Sequence, residues 1–122
     1  MSVIVGISAD GDFVLRNAGY RVLMEIAFSR TDCPEDRRVL EAGGWAHVLD
    51  LTALDRDQAR RIAWLLDEAA GIRIEAWLEE GSEASLSGAR YYESFQARLR
   101  KAFGKPPYLR AGSGEPAISA SA

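Results

Sequence analysis

The chain has 122 residues, 48% hydrophobic and 27% charged, with fifteen basic against eighteen acidic side chains and a formal net charge of −3. That balance belongs to a globular chain: disorder throughout is excluded, and no apolar run nears the roughly 20 residues of a bilayer span. The acidic excess argues against broad nucleic-acid binding, and the one cysteine, Cys33, makes neither an internal disulfide nor a zinc site by itself.

The opening MSVIVGISADGD has no basic stretch ahead of its apolar residues, so no secretory leader is expected and the expected location is cytoplasmic. Thirteen Arg against two Lys, with nineteen Ala, point to a GC-rich bacterial genome. Val3 to Ile7 is short and β-branched, the composition of a strand. Asp10-Gly11 is a favoured hairpin pair, because glycine takes a positive φ without a Cβ clash, and Phe13 to Leu15 supplies the returning strand. Asn17-Ala18-Gly19 reads as a second turn. The next stretch, Tyr20 to Phe28, fits both an alternating strand and a helical stripe. With two turns ahead of it, the strand is preferred, which makes an N-terminal β-meander.

Pro34, with Glu35 and Asp36 behind it, opens a helix expected over 34–42 and stopped by Gly43-Gly44. Trp45 to Leu51 reads as a strand, near 46–51. Asp55 and Gln58 form a capping-box pattern that starts a helix over 55–70, with Gly71 as its stop. Ile72, Ile74, Ala76 and Leu78 then alternate with polar neighbours, the pattern of a strand over 72–79. A linker, Gly81 to Ser87, leads to a last amphipathic helix over 87–103. The expected fold is α+β over residues 1–104, with a mixed or antiparallel sheet and about three helices. Residues 105–122 are rich in Gly, Ser, Pro and Ala and read as a disordered tail.

Catalytic chemistry finds little support. His47 is the lone histidine, and no nucleophile motif accompanies it. Acidic neighbours oppose thiolate formation at Cys33. Asp10-Gly11-Asp12 is a fragment of a calcium loop without its downstream ligands, and no phosphate-binding glycine loop occurs. No catalytic residue, metal ligand or cofactor is therefore assigned.

A binding surface is the stronger expectation. On the helix from Asp55, residues Ala59, Ile62, Ala63, Leu66, Ala69 and Ala70 make the apolar stripe, while Trp64 falls among Asp57, Arg60, Arg61, Asp67 and Glu68. Arg60, one turn earlier, reaches the Trp64 indole. Trp77 stands on the charged side of its segment with Arg73, Glu75 and Glu79. Residues 67–83 carry six acids against one Arg, and their edge of Glu75, Glu79, Glu80 and Glu83 would steer a basic partner. Trp and Arg are enriched at interface hot spots. The expected function is thus a non-enzymatic protein-binding module, an immunity or inhibitor type that occludes a partner such as a cognate toxin. The assigned binding residues are Trp64, Arg60, Arg61, Trp77, Glu75, Glu79, Glu80 and Glu83. One alternative is a small enzyme or ligand-binding domain with a pocket near His47, Tyr91 and Tyr92. Another is a homo-oligomeric adaptor that buries a tryptophan at its self-interface.

Overall fold

The computed structural model describes residues 1–9 and 11–107. Asp10 of the expected hairpin pair, and residues 108–122 of the expected tail, lie outside the described residues. The fold is α+β: strands β1 (Ser2–Ser8) and β2 (Gly11–Arg16), helices α1 (Asn17–Arg30) and α2 (Pro34–Ala46), strand β3 (Val48–Asp50), and helices α3 (Arg56–Glu80) and α4 (Glu83–Phe103). One turn of 3-10 helix, Leu51–Ala53, joins β3 to α3. The sheet order is β2-β1-β3, antiparallel on the β2 side and parallel on the β3 side.

Alternation decides which side of the sheet is covered. Val3, Val5 and Ile7 of β1, Phe13 and Leu15 of β2 and Leu49 of β3 are all buried in one core. The helices meet them with Tyr20, Leu23 and Ala27 of α1, Leu40 of α2, the alanine-rich stripe of α3, and Phe95 and Leu99 of α4. The stripe expected on α3 is buried at every position, from Ala59 to Ala70. Among the described residues the opposite face of the sheet has no such cover, with Ile4, Val14 and Val48 exposed there.

Five sequence expectations are corrected. Residues 20–28 are not a strand but the body of α1, with Tyr20, Leu23 and Ala27 buried at helical spacing. The tie breaks toward the helix because Tyr20 packs inward and donates its hydroxyl to the Leu40 carbonyl at 2.6 Å. Residues 72–79 are not a strand either: α3 runs unbroken through Gly71 to Glu80, and only Ile74 of the alternating set is buried. Gly71 is a point of close approach, where a Cβ would stand 3.2 Å from Nε2 of Gln96 on α4. Nor does α2 stop at Gly43-Gly44; it continues to Ala46. A Cβ at Gly43 would lie 2.9 Å from the Tyr20 hydroxyl and 3.0 Å from Leu49 Cβ, so that glycine lets α2 cross the core. The stop is His47, in the left-handed region at φ 61°, and it shortens the expected strand 46–51 to Val48–Asp50. The last helix begins earlier than 87, because Ser82 caps it by accepting from the Ser85 amide at 3.1 Å.

Two buried carboxylates tie α3 to its neighbours. Asp36, in the first turn of α2, receives Arg61 Nε at 2.9 Å, Arg61 Nη2 at 3.1 Å and Gln58 Nε2 at 3.3 Å. Asp67 receives both Arg100 nitrogens of α4 at 2.8 Å. The Arg61 guanidinium, with help from Gln58 and the Cys33 thiol, holds the Asp36 carboxyl below its usual range against the opposing effect of burial. A carboxylate with a depressed folded pKa contributes stability above its unfolded value and loses it as pH falls through the folded one. Urea midpoints should therefore drop between about pH 5 and pH 3 in the native chain. Asp36→Asn should be less stable at pH 7 and show a flatter slope across that window. Parallel slopes for the two proteins would remove Asp36 from the acid response.

Candidate functional site

A cleft of about 860 Å³ opens beside β2, where the sheet edge, the start of α1 and the α3–α4 hairpin meet. Its aromatic lining is Trp77 from α3 with Tyr91 and Tyr92 from α4. Trp77 meets Tyr92 edge-on at 4.8 Å between centroids, and the Arg73 guanidinium lies over the indole at 4.5 Å. That stacking follows from the helix: Arg73 and Trp77 are four residues apart and share a face. On a strand they would have pointed the same way but stood about 13 Å apart. Two glycines admit the rings. A Cβ at Gly88 would lie 3.2 Å from the Trp77 ring, and one at Gly19 would lie 2.5 Å from the Tyr92 hydroxyl. Burial pushes the Tyr92 phenol above its usual pKa, so it is a neutral donor at physiological pH.

Tyr91 links the cleft to the sheet. Its ring stacks at a tilt on Phe13, 4.8 Å away, and its hydroxyl donates to the Val14 carbonyl. Arg98 of the same helix donates to the Asp12 carbonyl at 3.3 Å, so α4 side chains bond the outer edge of β2 at two points. Val14 also belongs to the uncovered face of the sheet. Strand register sets Val14 opposite Ile4 and Ile4 opposite Val48, one apolar row across three strands. The three are 45%, 40% and 47% exposed, a row of β-branched side chains left facing water. Trp45, in the last turn of α2, is 82% exposed.

The assigned binding residues separate into two groups. Trp64 and Trp77 are thirteen positions apart on α3, about 20 Å along the helix, and the two point to nearly opposite sides. Trp64 is half-buried, with Arg60 5.9 Å from its ring and its indole N–H directed at the Gly104 carbonyl at 3.4 Å. Arg61 is engaged with Asp36. This group is occupied by contacts within the chain. The second group is open: Glu75, Glu79, Glu80 and Glu83 are all exposed around the α3–α4 turn, and Trp77 faces the cleft. Glu80 also accepts from Ser82 at 3.1 Å and from the Ser85 hydroxyl, and these hydrogen bonds hold its carboxyl below the usual range.

The alternative site is divided in the same way. Tyr91 and Tyr92 line the large cleft, whereas His47 lines a separate one of about 330 Å³ with Tyr20, Arg21 and Trp45. His47 has structural work at the end of α2: its carbonyl accepts from Ile4 at 3.0 Å, which docks β3, and its Nδ1 lies 3.2 Å from Asn17 Oδ1. Among the described residues no group of three or more His, Cys, Asp or Glu is placed to hold a metal, and no helix is long and apolar enough to cross a membrane. The apolar row of the sheet carried no signal in the sequence, since Ile4, Val14 and Val48 belong to three short segments whose register only the fold supplies. Comparison of the chain with protein-family models, with curated proteins and with solved structures found no match.

Proposed function

We propose that the chain is a non-enzymatic module that binds another protein, and that the partner docks on the uncovered face of the sheet. The observation that carries this reading is the in-register row Val14–Ile4–Val48, each at least 40% exposed and continuous through Val14 with the wall formed by Tyr91. Three neighbouring apolar side chains in water forgo burial that a partner surface would restore. The acidic turn of Glu75, Glu79, Glu80 and Glu83 favours a partner with a basic rim and raises its association rate. Trp77 remains the anchor of choice from the assigned set, because it lines the cleft, whereas Trp64 and Arg61 are engaged with Gly104 and Asp36. The finer reading is an immunity or inhibitor protein that blocks a basic toxin by occlusion, acting in the cytoplasm.

A photo-crosslinking amino acid at Ile4 tests the docking face, with the same group at the exposed Arg38 of α2 as control. In lysate of the organism that carries the gene, the Ile4 probe should trap one dominant protein that the Arg38 probe does not. Val48→Lys should abolish that product and leave thermal stability nearly unchanged, since the side chain is half in water. A product equal in both probes, or none from Ile4, would overturn the reading. A cross-linked product of twice the chain's mass would transfer the face to a homo-oligomer.

A further inference from the structure

The cleft beside β2 has a charge opposite to that of the chain around it. Among the described residues its charged lining groups are two guanidiniums, Arg16 at the end of β2 and Arg73 on α3, and the other lining side chains are neutral. An acidic chain of net −3 thus encloses a cavity lined by two positive charges. Neither guanidinium is within ion-pair distance of a carboxylate among the described residues, although the Arg73 charge is close enough to contribute to holding the Glu80 carboxyl below its usual range. The Arg73 Cζ lies over the Trp77 indole, 4.5 Å from the ring centroid. A cation–π contact leaves guanidinium N–H groups available to an acceptor, and a carboxylate can match them with two parallel hydrogen bonds. The remaining lining is aromatic, from Trp77, Tyr91 and Tyr92. Planar apolar groups bury well between such rings, at about 4.5–7 Å between centroids. A volume of about 860 Å³ falls within the range of small-ligand sites.

We propose that this cleft binds an aromatic carboxylate. The ligand's ring lies among Trp77, Tyr91 and Tyr92, and its carboxylate meets Arg73, with Arg16 as the second positive charge. The inference does not rest on the protein-binding role of the sheet face: Val14, Trp77 and Tyr91 border both surfaces, but that role is tested by cross-linking at Ile4 and this one by small-ligand binding. Two sources carry the same chemistry: a free aromatic acid, or an aromatic residue at the C-terminus of a polypeptide.

Two-dimensional amide NMR on the full 15N-labelled chain separates the outcomes. The probes are naphthalene-2-carboxylate, naphthalene-2-carboxamide, 2-naphthyl phosphate, and an octapeptide ending in Phe with a free or an amidated terminus. The carboxylate should bind at least about tenfold more tightly than the carboxamide, as expected for a charge-assisted bidentate pair. Its shifts should centre on the Trp77 indole and on Gly19 and Gly88. Arg73→Gln should erase most of the preference for the acid over the amide, and Arg38→Gln should leave it intact. Arg16→Gln, at an exposed strand end, keeps the test decisive should the Arg73 variant fail to fold. Tighter binding of the free acid identifies a small-molecule ligand. Tighter binding of the peptide, lost on amidation, identifies a chain terminus. Equal affinity for acid and amide, shifts mapped elsewhere, binding of the phosphate alone, or no saturable binding would each overturn the proposal.

Discussion

Asp67→Ala should lower the unfolding free energy by about 3 kcal/mol, because it empties the joint between α3 and α4. Asp67 is 1% exposed and lies on the side of α3 that a helical wheel assigns to water. It is dry because α4 covers it: Arg100 donates Nε and Nη2 to its two oxygens at 2.8 Å, and Gln96 Nε2 reaches both its carboxylate at 3.2 Å and its main-chain carbonyl at 2.9 Å. Removal of the carboxylate takes both acceptor oxygens from the Arg100 guanidinium, while Gln96 keeps its bond to the main-chain carbonyl. Arg100 keeps about a third of its side chain in water, which relieves part of that loss and places the expected value at the low end of the range for buried pairs. Arg100→Met poses the converse problem, a buried carboxylate without its counter-charge. The double variant Asp67→Ala with Arg100→Met should lose clearly less than the sum of the two single changes, since it leaves neither charge without the other. Urea unfolding of the four proteins gives the coupling energy directly. A coupling below about 0.5 kcal/mol would show that the pair does not join the helices energetically.

The same residue shows where sequence reasoning ran out. The wheel of α3 placed Ala59, Ile62, Ala63 and Leu66 correctly, since one apolar face against one core is a local pattern. It failed for Asp67 because α3 has a second neighbour, and nothing local to α3 announces the Arg100 and Gln96 that make burial of a carboxylate tolerable. The strand expected over 72–79 failed for a related reason. Ile72, Ile74, Ala76 and Leu78 alternate well, but Leu78 is 54% exposed, so the alternation is not that of one buried face. Gly71 resembled a helix stop and Gly43 another, yet each is the point where a helix passes close to other side chains, Gln96 in one case and Tyr20 with Leu49 in the other. Glycine marks proximity as readily as it marks a turn. At the site, Trp77 was legible as an exposed-side aromatic and the acids as an edge. Their meeting with Arg16, Val14 and Tyr91 depends on long-range packing of α4 against β2, which no spacing encodes.

That packing has a single most important ring, and Phe95→Ala should be the costliest truncation near the site, at about 3–5 kcal/mol. Phe95 is 0% exposed and stacks at a tilt on Phe13 of β2, with centroids 5.0 Å apart. Phe13 in turn touches Tyr91 at 4.8 Å, so an aromatic chain runs from the core to the wall of the cleft. Deleting the innermost ring leaves a void that Leu99 and Tyr92 on the same helix fill only by moving α4, and helix movement disturbs the covered edge of β2 as well. For a domain stabilised by roughly 5–15 kcal/mol, that loss is a large part of the whole and should depress the melting temperature by more than about 10 °C. Tyr91→Ala, at the outer end of the same chain, should cost no more than about 1 kcal/mol, because Tyr91 is 48% exposed and its hydroxyl bonds an edge carbonyl that water also satisfies. The contrast is the test. Thermal melts in which the two variants lose equal stability would mean that α4 is held to the sheet by its rim, and the cleft would then open and close with the edge of β2. Melts that separate them as expected place the anchor inside. The cleft then has fixed walls, and Arg73, Trp77 and Tyr92 are presented to a ligand already in position.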